Sequence, residues 1–283
     1  MPLTTPHRTQ DALFNAMPLP VQEGCRFSAA SLTGVQAALN QDSYVCRAPD
    51  FFAVADGVGG GALGEVASAM LVRHLAQLQA PEPADVALAL KAADEAIAHR
   101  LVQEGQGPGA AVCAAVWRVD ANASDWLAMT VGDCKVMIAR WTGADWRIRW
   151  ASPSQSYAHC GLTPPPGVSS ESPANMVGCG LPLPGLYFPF TLADGERLLL
   201  CSDGFHNAFN DEALQNLLNE TPSPLGNASA QAWCQKAQER GSVDDVTVVV
   251  VETALLTGET PKWWWALACL SIMVLAVLPW VLL

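Results

Sequence analysis

Basic residues are scarce in this 283-residue chain. Lys and Arg number 15 against 27 Asp and Glu, a net charge of −12. Binding a polyanion needs the opposite balance, so nucleic acid is excluded as a partner. Paired cysteines are missing too. The nine cysteines (Cys25, Cys46, Cys113, Cys134, Cys160, Cys179, Cys201, Cys234 and Cys269) are odd in number and form no CxxC pair. Several lie in apolar runs, such as Cys201 in LLLCSD and Cys113 in AAVCAAV. They read as buried thiols in a reducing compartment, not as a disulfide frame or a zinc site. Residues 1–20 (MPLTTPHRTQDALFNAMPLP) lack the apolar core of an export signal and read as an N-terminal extension of a protein kept in the cytoplasm. Charge of either sign is thin, at 15%, while 51% of residues are hydrophobic, which excludes a disordered or fibrous chain.

The longest apolar run is at the end. Residues 263–283 (WWWALACLSIMVLAVLPWVLL) carry no charge, and Ser271 is the one hydroxyl residue among them. As a helix this segment is long enough to cross a hydrocarbon core of about 30 Å. Trp263, Trp264 and Trp265 mark one interface and Trp280 the other. A transmembrane helix is therefore expected there, with Lys262 on its cytoplasmic flank. Residues 254–262 read as a linker, and residues 21–253 as the domain ahead of it.

Within that domain, Phe51–Ala55 is an apolar strand running into Asp56 and glycines. Helical spacing marks Glu65–Gln79 and Ala84–Gln103. Strands are expected at Ala110–Val119, Trp126–Val131, Val136–Trp141 and Trp146–Trp150. Ser152–Pro184, rich in Pro, Ser and Gly, reads as a long loop or flap. Glu196–Ser202 is a further strand, Asp211–Asn219 and Ala228–Glu239 are helices, and Val246–Val251 is a β-branched last strand. The order predicts an α+β fold: two stacked antiparallel β-sheets flanked by helices, a four-layer αββα sandwich.

Two sites repeat one design, a buried strand followed by Asp-Gly: Asp56-Gly57 and Asp203-Gly204. Asp244 stands at the start of a third apolar strand. Carboxylates at strand ends are rigidly held and face outward, which suits shared ligation of hard cations such as Mg²⁺ or Mn²⁺. A single Asp of this kind is more often a turn residue, so the conjunction carries the weight.

These segments resemble the type-2C metal-dependent protein phosphatases in their compact bacterial form. The matching stretches are NQDS at 40–43, VADGVGG at 54–60 with GEVAS at 64–68, VGDCK at 131–135, LCSDG at 200–204 and DDVTVV at 244–249. The resemblance implies a two-metal site using Mn²⁺ or Mg²⁺, with a third ion in some members. Asp56 would bridge both metals and the Gly57 carbonyl would bind one. Asp203 and Asp244 would complete the other's ligands, Asp133 would help hold the third, and Asp42 would orient the attacking water. The implied reaction is direct hydrolysis of phosphoserine and phosphothreonine in proteins, and the implied partner is a Ser/Thr kinase or its substrates.

The match has gaps. Ala37 replaces the family's phosphate-gripping arginine, leaving Arg47 and Arg26 as candidates to stand in for it. Gln41 replaces an acidic residue, Val58 and Gly61 stand where histidines often do, and Gly109-Ala110-Ala111 replaces Gly-Thr-Thr. A catalytically impaired phosphatase fold acting as a membrane-bound binding module is therefore the alternative. A dinucleotide fingerprint, Gly59-x-Gly61-x-x-Gly64, fails on context, because a helix and not a strand follows its helix. His206 and His159 could approach the site, and neither is assigned a catalytic role.

Overall fold

The computed structural model describes residues 25–58, 63–103, 109–119, 125–180, 183–221 and 225–253. These form two five-stranded sheets in which every pairing is antiparallel. One sheet runs β1 (Cys25–Leu32), β10 (Val246–Thr253), β9 (Glu196–Cys201), β6 (Lys135–Trp141) and β7 (Trp146–Ala151). The other runs β2 (Ser43–Arg47), β3 (Phe51–Gly57), β4 (Ala111–Arg118), β5 (Asp125–Val131) and β8 (Leu186–Thr191).

The central strands are apolar throughout because both of their faces are covered. On β3, Phe52 and Val54 meet Val136, Leu198, Leu200 and Val249 between the sheets. Phe51, Ala53 and Ala55 point the other way, onto Leu71 and Leu75 of α1 (Gly64–Leu75) and Leu90 and Ile97 of α2 (Pro83–Gln103). On the opposite outer face, α5 (Asp211–Glu220) and α6 (Ser229–Glu239) lay Leu214, Leu217, Trp233 and Ala237 on Met137, Leu199, Val248 and Val250. The four layers expected from the sequence are present. The expected transmembrane helix falls outside the described residues.

Differences from the sequence reading are local. Helix α1 stops at Leu75 instead of Gln79, and Ala80 follows with φ of 39°. The long loop holds one short helix, α3 (Tyr157–Cys160), and Asp203 opens a four-residue helix, α4 (Asp203–His206), where the sequence suggests only a turn. Strands β1, β2 and β8 are additions. All three are edge strands, and β2 and β8 are only part-buried, so no apolar run betrays them. Strand β4 runs antiparallel to β3 after two helices, which rules out the βαβ unit that a dinucleotide fingerprint requires.

At the pole where β10 ends, a buried ion pair ties the layers together. Arg197 Nε lies 2.6 Å from Glu252 Oε2, and both side chains are sealed from water. The guanidinium also donates to the carbonyls of Leu218 and Thr221 and sits 4.1 Å over the Trp146 ring. Glu252 Oε1 accepts the Leu225 N–H. Glu252→Gln would remove the charge that Glu252 sets against the buried guanidinium and should lower unfolding free energy by about 3–5 kcal/mol. Urea denaturation checks this; a loss below about 1 kcal/mol would show the pair to be dispensable.

Candidate metal centre

The antiparallel topology brings the ends of β1, β3, β5 and β9 and the starts of β2, β6 and β10 to the other pole. Asp42, Asp56, Asp133, Asp203 and Asp244 all lie at this pole. Asp56 is still within β3, in register with Val112 of β4, one residue past the last pair of the β2 ladder at Ala55. Asp133 sits in the turn between β5 and β6, and Asp203 begins α4 directly after β9.

The glycines beside these aspartates let backbone approach backbone. A Cβ on Gly57 would lie 2.4 Å from the carbonyl of Gly64, and one on Gly204 would lie 2.1 Å from the Asp245 oxygen. Any side chain there would push the site loops apart. Asp245, absent from the sequence-derived ligand set, is the clamp. Its Oδ1 accepts the Gly34 N–H at 2.7 Å and its Oδ2 the Gln41 N–H at 2.6 Å. Gly57 N–H in turn donates to the Gln41 carbonyl at 3.1 Å, coupling this loop to β3. The doubled aspartate in DDVT is the one sequence signal for this role.

Asp42 is 8% exposed, and Ser202 Oγ donates to its Oδ2 at 2.8 Å. Ser202 Oγ also accepts the Thr247 N–H at 3.0 Å, so the serine between β9 and Asp203 fixes a carboxylate 160 residues away in sequence. Asp42 Oδ1 and Asp203 Oδ1 are buried and have no hydrogen-bond partner among the described residues. Buried acceptors left open in this way are expensive unless something binds them.

The electrostatics point the same way. Burial, and then the charges of Asp42, Asp203, Asp133 and Asp244, push Asp56 well above the usual carboxylate range. Burial raises Asp42 to about 7 against hydrogen bonds from Thr247 and Ser202. Asp133 also rises to about 7, through burial and the Asp203 charge. Asp203 is raised by burial and Asp244, and it shares a hydrogen bond with the Asp56 carboxyl. A proton between two carboxylates holds the place of a cation. Among the described residues, no three His, Cys, Asp or Glu side chains are grouped as a closed ligand set. The donor set is all oxygen, and its open atoms point inward, so it fits hard divalent cations.

The remaining residues sort themselves. Asp244 is exposed at the rim, and its Oδ1 accepts the Asp245 N–H at 2.8 Å. His206 is pushed down to about 4, mainly by burial, so its ring is neutral, and Nε2 lies 3.0 Å from the Asp133 carbonyl oxygen. It braces the turn. His159 Nδ1 bonds Ser156 Oγ at 2.8 Å at the start of α3. Ala37 is exposed in the loop after β1, and neither candidate arginine replaces what it lacks. Arg47 donates to the carbonyls of Ala76 and Leu78 past the end of α1 and lies over Phe51. Arg26 pairs in register with Glu252, six residues and about 20 Å along β1 from the site pole. Val58 is part-buried beside the inter-sheet core, and Gly61 falls outside the described residues.

Comparison with known proteins agrees with this geometry. The serine/threonine protein phosphatase PstP of Mycobacterium tuberculosis is 28% identical over 242 residues, covering 80% of this chain. The match spans only 45% of PstP's length. A crystal structure of the Mycobacterium tuberculosis phosphatase superposes with a TM-score of 0.67 at 26% identity, covering 82% of this chain and 99% of that one. A structure of the PstP catalytic domain in complex with two manganese ions gives a TM-score of 0.66 at 26% identity, with the same coverage. PppA of Pseudomonas aeruginosa shares the fold, with a TM-score of 0.64 at 24% identity over 81% of this chain and 97% of that one. A family model described as protein phosphatase 2C matches residues 35–237, and the chain belongs to that family.

Proposed function

We propose that this chain is a metal-dependent protein serine/threonine phosphatase. The observation that carries the reading is the set of buried, mutually repelling carboxylates at one pole, with Asp42 and Asp203 oxygens left open. The manganese-bound relative lends support from outside the chain. Asp56, the Gly57 carbonyl, Asp203 and Asp244 would hold two Mn²⁺ or Mg²⁺ ions, and Asp133 a weaker third. Bound there, the ions would acidify a water toward hydroxide and neutralise charge on the transferring phosphoryl group. The protein's own part is positional. Ser202 fixes Asp42 so that its open Oδ1 would be free to accept a hydrogen bond from a water, and Asp245 keeps the 34–42 loop closed against β3. The substrates would be phosphoserine and phosphothreonine proteins, with a cognate Ser/Thr kinase or its targets as partners.

One observation favours a second reading, a binding module with impaired catalysis: neither Arg47 nor Arg26 stands in for the arginine missing at Ala37. For location, we propose a domain over residues 21–253, a linker, and a membrane anchor at 263–283 that holds the domain at the cytoplasmic face. The uncharged, tryptophan-bounded composition of that segment supports this. Tethering would raise the local concentration of membrane-bound phosphoproteins.

Three outcomes are expected. The full chain in mild detergent should release phosphate from a phosphothreonine peptide with Mn²⁺ and not with chelator. Asp56→Asn should lower the rate on the order of 10³-fold while the protein stays folded. Bound Mn²⁺ without turnover would select the binding module. In chelator, thermal stability should fall as pH rises from about 4 to above 7. The unfolded carboxyls ionise near 3.8, whereas Asp42 and Asp133 resist until about 7, so the charged form costs the folded state more. Asp42→Asn should flatten that slope; a stability that climbs over this range would contradict the electrostatics. Finally, removing 263–283 should move the protein from the membrane fraction to the supernatant, and a truncated chain that stays with the membrane refutes the anchor.

A further inference from the structure

The stretch between β7 and β8 has an exposed middle and a buried polar base. Gln155 is 4% exposed and Asn175 fully buried. Gln155 grips Gly132 twice: its own N–H donates to the Gly132 carbonyl at 2.8 Å, and its Oε1 accepts the Gly132 N–H at 3.1 Å. The same Oε1 accepts from Asn175 Nδ2 at 3.0 Å, and Nε2 donates to the Pro184 carbonyl at 3.0 Å. Both limbs of the flap thus meet on one side chain. Three residues earlier, Ser152 is held to Val136 in the same double manner, N–H to carbonyl at 2.8 Å and N–H to Oγ at 3.0 Å.

Asp133 lies between Gly132 and Val136, inside this bracket. Gly132 has φ of 83°, and a Cβ there would strike Val112 at 2.2 Å, so only glycine fits the turn at this position. His206 fixes the Asp133 carbonyl from the far side. The Asp133 carboxyl therefore has its backbone set from the flap through Gln155 and from α4 through His206.

We infer that Gln155 is a positioning residue that couples the flap to Asp133 and sets the site of the weakest divalent cation. This rests on the metal-dependent reading above. Outer groups that orient a ligand typically control metal affinity by 10–100-fold. The flap's other tether supplies the control. Asp94 Oδ1 on α2 accepts the N–H groups of Gly178 at 2.6 Å and Gly180 at 2.9 Å, and among the described residues no hydrogen bond joins it to the 132–136 turn.

Mn²⁺ titration calorimetry on the full chain in detergent, with thermal melts alongside, separates the possibilities. Gln155→Ala should weaken the lowest-affinity Mn²⁺ by about 10–100-fold. Asp94→Ala should lower stability and leave that affinity in place. In an Asp133→Asn background, Gln155→Ala should shift metal affinity no further, because the two act through one group. Should the alanine variant not fold, Gln155→Met, nearest in volume, carries the same comparison. The inference is overturned if Gln155→Ala costs only stability, or if Asp94→Ala weakens the same ion equally. Should the unaltered chain bind no Mn²⁺ at all, the metal-dependent reading itself falls.

Discussion

Mutual repulsion among buried carboxylates is the constraint on which the rest of this structure depends. Burial raises Asp42, Asp56, Asp133 and Asp203, and the charge of at least one neighbouring aspartate raises each of them further. Among the described residues, the cation acting on them is Lys135, which offsets part of the rise at Asp133. Such a cluster would spread or protonate if its backbone were free to relax. Its stability requires a frame stiffer than the repulsion it contains.

The frame comes from strands buried on both faces and from loops locked by short contacts. Phe51–Ala55 has no exposed face, so β3 delivers Asp56 without slack. Asp245 spends both oxygens on main-chain N–H groups of the 34–42 loop, and Gly57 and Gly204 admit the neighbouring backbone at distances no side chain would allow. Ser202 ties the end of β9 to Asp42, and Gln155 ties the flap to the Asp133 turn. At the opposite pole the Arg197–Glu252 pair secures β9 to β10 and both to the helical layer. The aspartate cluster and the buried ion pair thus lie at opposite ends of the same strands.

Much of this was legible in the sequence, for a physical reason. Strands covered on both faces must be apolar throughout, so β3, β4, β9 and β10 stood out, and the recurrence of Asp at the ends of three such runs marked the site where one alone would read as a turn. The edge strands were not legible, because the mixed side chains of SYVCR and LYFPFT carry no clear period. The supporting residues were hidden by distance along the chain. Asp245 meets Gly34 across 211 positions, and Ser202 meets Asp42 across 160. No local pattern distinguishes a clamping Asp from a solvated one. Arg47 and Arg26 show the converse: sequence proximity nominated both, and their partners lie elsewhere.

The central claim is that the repelling carboxylates are a cation site whose protons leave as metal enters. Mn²⁺ titration at pH 7 in two buffers of different ionisation enthalpy tests it most directly, because it counts ions and released protons together. The account predicts at least two ions, with net proton release that Asp56→Asn diminishes. Binding without proton release, or binding indifferent to Asp56→Asn, would contradict it.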